Sequence, residues 1–153
     1  MWEAFDERAK RVLFLSRYEA FVAKSDEIKV AHLLLGILLE ADPGCTRVIE
    51  ESGANAEPLA EFVRQRPRKQ LTLVHPSWLG TTLPGREIGF AVDVKAILAR
   101  ARSEAQELGH EKVEVAHLLL ALLAVSQAGC EQALSASRLS YDAVRLQLLR
   151  NDH

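Results

Sequence analysis

Cysteine is scarce. Only Cys45 and Cys130 occur among 153 residues, too few for the disulfide framework of a small secreted domain, so a reducing compartment is expected. An excess of charge is also missing. Nineteen Lys and Arg stand against 21 Asp and Glu, a net charge of −2. That supplies no general attraction to nucleic acid or to an anionic membrane surface. Nor is there a long hydrophobic run. The longest, Val30 to Leu39, is interrupted by His32 and falls short of a bilayer span. The first residues, Met1 to Glu7, carry acids and no apolar stretch, so they do not read as a signal peptide. A cytoplasmic location is the expectation. The one local basic run is Arg64, Arg66, Arg68 and Lys69, which reads as a solvated helix end in preference to a phosphate site.

What is present is a globular composition. Hydrophobic residues make up 48% and charged residues 26%, far from the polar bias of disorder. A chain of this length buries roughly two-thirds of its unfolded surface, enough for one compact unit without metal or disulfide.

The chain is also written twice. With Phe5 placed over Phe90 and no gap, Lys10 meets Lys95, Leu13 meets Leu98, Arg17 meets Arg102, and Glu19-Ala20 meets Glu104-Ala105. Val30-Ala31-His32-Leu33-Leu34-Leu35 meets Val115-Ala116-His117-Leu118-Leu119-Leu120, and Gly44-Cys45 meets Gly129-Cys130. About 16 of roughly 61 pairs are identical, the mark of an internal duplication.

Each copy reads as four helices. Val12, Leu13, Leu15 and Tyr18 to Val22 keep an apolar stripe at helical spacing, as do Val94, Ile97, Leu98, Ala101, Ala105 and Leu108, with Gly109 as a stop. The leucine-rich segments form the second helix of each copy, to about Leu39 and Val125, ended by Asp42-Pro43-Gly44 and by Gly129. Short third helices cover Cys45 to Glu51 and Cys130 to Ala136. Fourth helices start near Asn55 and Ser140, both good N-caps, with Pro58 in the first turn. No stretch keeps a strand period for long.

The expectation is therefore an all-α fold: eight helices in two pseudo-symmetric four-helix repeats, packed as one domain over 1–153. Repeat one spans 5–66, a connector 67–88, and repeat two 89–150. Neither copy has much interior alone, so the segments holding His32 and His117 are expected at the centre. The connector is long for a bundle. It carries Leu71, Leu73, Val74, Trp78 and Leu79, and either lies across the bundle with Trp78 buried or presents Trp78 as a binding segment.

Chemistry is thinly represented. His32, His117, Cys45 and Cys130 are residue types that zinc uses, but no Cys-x-x-Cys or His-x-x-x-His pair exists and each lies on a different helix. They read as buried structural residues, and no metal or other cofactor is expected. Each cysteine sits beside a turn glycine at a helix start, a place where a thiol pKa can fall. The duplication explains that recurrence without chemistry. Glu50-Glu51 and Asp26-Glu27 read as solvated surface.

The pattern Phe5, Ala9, Val12-Leu13, Glu19-Ala20 and His32 to Leu38, repeated as Phe90, Ile97-Leu98, Glu104-Ala105 and His117 to Leu123, resembles the Clp repeat domain. The resemblance covers nearly the whole chain outside the connector. It implies a domain that sits ahead of the AAA+ modules of protease-feeding unfoldases and binds adaptors and substrates, in some members by capturing phosphoarginine. Stand-alone accessory relatives also occur. The ending Asn151-Asp152-His153, with no purification tag, leans towards such an accessory protein over an excised domain. A Gly-x-x-x-x-Gly-Lys-Ser/Thr loop is absent, so nucleotide binding by this chain alone is not expected.

In phosphoarginine-binding members a glutamate precedes the motif histidine and a threonine follows the opening aromatic. Here those positions are Ala31 and Ala116, and Asp6 and Ala91. Together with Trp78 they are the candidate partner-binding residues, and phosphoarginine recognition is expected to be weak or lost. The resulting expectation is a non-enzymatic module docking a Clp adaptor, a substrate, or Clp ATPase or protease subunits. The alternative is a small thiol enzyme using Cys45 or Cys130, and a third reading is a bundle with no partner.

Overall fold

Leucine decides where the centre lies. A computed structural model describes residues 2–66 and 88–151. Among them are eight α-helices: α1 (Glu7–Val22), α2 (Val30–Glu40), α3 (Pro43–Glu51) and α4 (Glu57–Arg64), then α5 (Val92–Glu107), α6 (Val115–Val125), α7 (Glu131–Ser137) and α8 (Tyr141–Asn151). The leucine-rich α2 and α6 are apolar on nearly every side, which suits only helices covered all round. Leu33, Leu34, Leu118, Leu119, Leu120 and Leu122 are completely buried in one shared core. Around them pack α1, α5 and the shorter helices, amphipathic and half-exposed. The expected all-α fold with two pseudo-symmetric four-helix halves is the fold observed.

Short polar side chains set the helix starts. Asp6 Oδ1 accepts the Ala9 N–H at 2.8 Å to open α1, and Asp42 Oδ2 accepts the Cys45 N–H at 2.9 Å to open α3. Ser140 Oγ accepts the Ala143 N–H at 3.2 Å ahead of α8. Each satisfies a first-turn donor that has no partner inside its helix. Asn55 acts two residues before α4 begins, with Ala56 at the cap position and Asn55 Oδ1 taking the Glu57 N–H. Gly109 has φ +76 just beyond α5, a conformation that glycine adopts at no steric cost. Gly129 does not end α6, contrary to expectation. The helix stops at Val125, where Ser126 turns extended, and Gly129 (φ +82) shapes the turn into α7.

The two halves are stitched by backbone, a feature that strand periodicity misses. Two-residue strands β1 (Glu27–Ile28) and β2 (Gly89–Phe90) pair in parallel, and Phe5 forms an isolated parallel bridge with Val113. Asp6 N–H donates to Val113 O and, 85 residues on, Ala91 N–H donates to Ile28 O, both at 3.0 Å. Val113 N–H completes its side of the exchange on Ala4 O at 2.7 Å. The segment that opens each half is thus held by the loop that leads into the other half's leucine helix. Such exchanges leave few backbone groups unpaired at the seam.

Candidate protein-binding site

An open groove of about 290 Å³ lies where this stitching meets α1. Its floor is apolar, made by Leu13, Phe14, Ile28, Ile88 and Phe90, and Lys10 and Arg17 stand at its rim. Ile28 and Ile88 form a small satellite core with Ala20, and Phe21 and Phe90 pack on it. The groove is therefore composite, built from α1 and from the β1–β2 seam. Arg17 Nε is buried without a hydrogen-bond partner among the described residues, while Lys10 Nζ reaches the exposed Glu7 carboxylate at 3.2 Å. An apolar floor with a few polar groups at its edge is the usual make-up of a recognition pocket. Sequence reasoning missed it: Phe14 and Arg17 lie outside the apolar stripe read for α1, and nothing in the linear order joins them to Ile88.

The residues expected to contact a partner are spread along the seam. The Asp6 carboxylate is occupied in capping α1, and its N–H ties it to the loop before α6. Ala91 caps α5 with no side-chain bond and is tied to the loop before α2. Ala31 is half-buried, and Ala116 is nearly covered at 6% exposure. Each opening residue thus lies by the other half's leucine helix. Trp78 lies outside the described residues.

Both histidines are structural in the expected way. His32 Nδ1 accepts the Lys29 N–H at 3.0 Å and His117 Nδ1 accepts the Glu114 N–H at 2.8 Å. Each ring closes the first turn of its helix as a Glu or Gln does in a capping box. Desolvation, with the positive charge of Lys29 adding to it, lowers the His32 pKa below its ordinary value. Spacing overlooked one neighbour: His110 Nδ1 lies 2.7 Å from His117 Nε2, with the Glu114 carboxylate 3.6 Å from His110. The three could in principle face a metal ion. However, a neutral His117 whose Nδ1 accepts a backbone N–H carries its proton on Nε2, and so has no lone pair there to ligate.

The helix-start position of the cysteines does not activate them. Burial, seconded by Asp42 at Cys45 and by Glu131 at Cys130, pushes both thiols up to about 12. The expectation that a turn glycine and a helix start could lower a thiol pKa is thereby reversed. Glu19 and Glu104, equivalent in the two halves, are buried carboxylates that tie helices together. Glu104 accepts from Arg100 Nε at 2.7 Å and from Tyr141 Oη at 2.6 Å, while Glu19 has the Arg66 guanidinium at 3.6 Å. Of the basic run, Arg64 is paired with Glu57 and Glu61.

Residues 89–151 match the family model described as the Clp repeat (R) N-terminal domain. The second half of the chain thus carries a likeness to the Clp repeat family. Similar proteins carry the likeness through the first half. The chaperone protein ClpB of Oceanobacillus iheyensis is 27% identical over 150 residues, covering 98% of this chain and 17% of that protein. The negative regulator of genetic competence ClpC/MecB of Bacillus subtilis is 24% identical over 153 residues, again 98% of this chain and 17% of the relative. Among solved structures, the Hsp104 N-terminal domain from Candida albicans superposes with a TM-score of 0.67 at 16% identity, over 97% of this chain and 91% of that one. The chain spans about one sixth of the length of the curated relatives it matches. Among the described residues, no helix is long and apolar enough to cross a membrane.

Proposed function

We propose that this chain is a non-enzymatic, cytoplasmic protein-binding module, one domain over 1–153 with repeats 5–66 and 89–150 joined by 67–88. It docks a Clp adaptor, a substrate segment, or Clp ATPase or protease subunits, and binds neither nucleic acid nor membrane. The observation that carries the reading is the groove at the seam: an apolar floor at Leu13, Phe14 and Phe90 beside the cations Lys10 and Arg17. Burying one large side chain of a partner there contributes roughly 1.5–3 kcal/mol, a usual scale for an interface anchor. The buried, high-pKa thiols support a binding role over the thiol enzyme.

Affinity capture with mass spectrometry tests the reading by comparing wild type with Phe14→Asp and Trp78→Ala. Proteins recovered by wild type and lost by folded Phe14→Asp support docking in the groove; equal recovery overturns it. Loss in Trp78→Ala assigns the connector to the contact as well.

Phosphoarginine recognition is weak or absent in this reading. The carboxylate that would hold a guanidinium is replaced by Ala31 and Ala116, removing a charge-assisted hydrogen bond worth about 1.5–3 kcal/mol. Asp6 adds repulsion towards phosphate. Ala31→Glu with Ala116→Glu raises affinity for a phosphoarginine peptide at least tenfold, roughly the low end of that energy; unchanged affinity argues against the account.

A further inference from the structure

We propose that His110 and His117 form a proton-sensitive clasp that holds the amino-terminal segment onto the second half of the molecule. The argument begins with tautomers. His117 is fully buried on α6 and accepts the Glu114 N–H on Nδ1. A neutral ring in that position carries its proton on Nε2. That N–H points at His110 Nδ1, 2.7 Å away, so His110 must present a lone pair there and be neutral too. The pair is made only when neither ring holds an extra proton.

Adding one proton breaks a bond either way. On His110 Nδ1 it sets two N–H groups against each other. On His117 Nδ1 it removes the acceptor that caps α6. The carboxylate of Glu114 lies 3.6 Å from His110 Nδ1, near enough to attract that ring once it is charged.

Position gives the pair its consequence. His110 is anchored by its N–H on Ala105 O at the end of α5. The loop from His110 to Glu114 carries Val113, which exchanges bonds with Ala4 and Asp6, and Lys112, whose ammonium donates to Glu3 O. Among the described residues, the charged and titratable groups facing the clasp are His117 of α6, Glu114 at its cap, Lys112 of the loop, and Glu3 and Asp6 of the amino-terminal segment. The equivalent loop in the first half has Ser25 where His110 stands, so the ring pair belongs to one seam only. Protonation loosens the grip on Phe5 and Asp6.

Hydrogen exchange in the 153-residue protein tests this through protection factors for the Asp6 and Val113 amides at pH 7.5 and 5.5. Wild type is expected to lose about tenfold protection at these two amides on acidification, one proton linked to one opening. His110→Gln keeps an acceptor for His117 but does not titrate, so protection stays high at both pH values. His110→Ser removes the acceptor, and protection is low at both. A wild-type profile without the loss overturns the proposal, as does an equal loss in His110→Gln. Zinc ions that raise the Tm of wild type but not of His110→Gln also overturn it, because ring lone pairs would then be free to ligate.

Discussion

Gly36 of α2 faces Ser16 of α1 with no room for a methyl group between them. A Cβ at Gly36 would lie 2.5 Å from Ser16 Oγ and 2.6 Å from the Val12 carbonyl oxygen, while Ser16 Oγ itself donates to Val12 O at 2.7 Å. The helices therefore cross at backbone distance. Gly36→Ala gains about 1 kcal/mol of helix propensity, but the clash with a carbonyl forces α1 and α2 apart at a cost of about 1–3 kcal/mol. The expected result is a lower Tm by calorimetry. Ser16→Ala added to it restores only part, because the Val12 oxygen remains.

The buried carboxylate of Glu104 ties α5 to α8 through Tyr141. Tyr141→Phe removes a hydrogen bond to a charged acceptor and is expected to cost about 1.5–3 kcal/mol in urea unfolding. Glu104→Gln weakens the bond to Arg100 as well. The double variant should be less unstable than the sum of the two, because they share one network. Simple additivity would show that Glu104 and Tyr141 act independently.

His32 makes stability depend on pH. Its folded pKa is lowered, chiefly by burial and then by Lys29, so the folded state takes up a proton less readily than the unfolded chain. Its contribution is fully present above about pH 6.5, the unfolded value, and is lost as the pH falls below it. Glu19 works in the opposite sense, since burial raises its pKa against the pull of Arg66. The two are separated by His32→Gln, which keeps an acceptor for the Lys29 N–H. Unfolding free energies of wild type and variant should agree near neutrality and diverge as the pH falls, wild type losing stability that the variant keeps.

Cys45 and Cys130 should resist thiol reagents. With both thiols pushed up to about 12, on the order of one molecule in 10⁵ carries a thiolate at pH 7. Titration with an aromatic disulfide should label neither cysteine in the native protein and both in denaturant. Rapid labelling at neutral pH would revive the thiol-enzyme reading.

Much of this was legible in the order of residues. The leucine-rich segments had to be central because an all-round apolar helix is stable only when covered, and the duplication announced two halves that need each other. Of the helix starts, Ser140 was legible as a cap and opens α8, Asn55 stands one residue ahead of the cap position of α4, and the caps at Asp6 and Asp42 were not read from the sequence. The groove was not legible, because Phe14 on α1 and Ile88 ahead of β2 are far apart in sequence and meet only through the β1–β2 pairing. Nor was the cysteine chemistry: helix-start position argued for a lowered pKa, and burial, which sequence does not reveal, prevailed.

By itself the sequence determined periodicity, caps and pairing of like with like, all local properties of a chain with one duplicated pattern. Tertiary structure alone decided the cross-exchange of Asp6 with Val113 and Ala91 with Ile28, and the meeting of His110 with His117. Those depend on how two similar halves rotate onto each other, which residue spacing within either half does not specify.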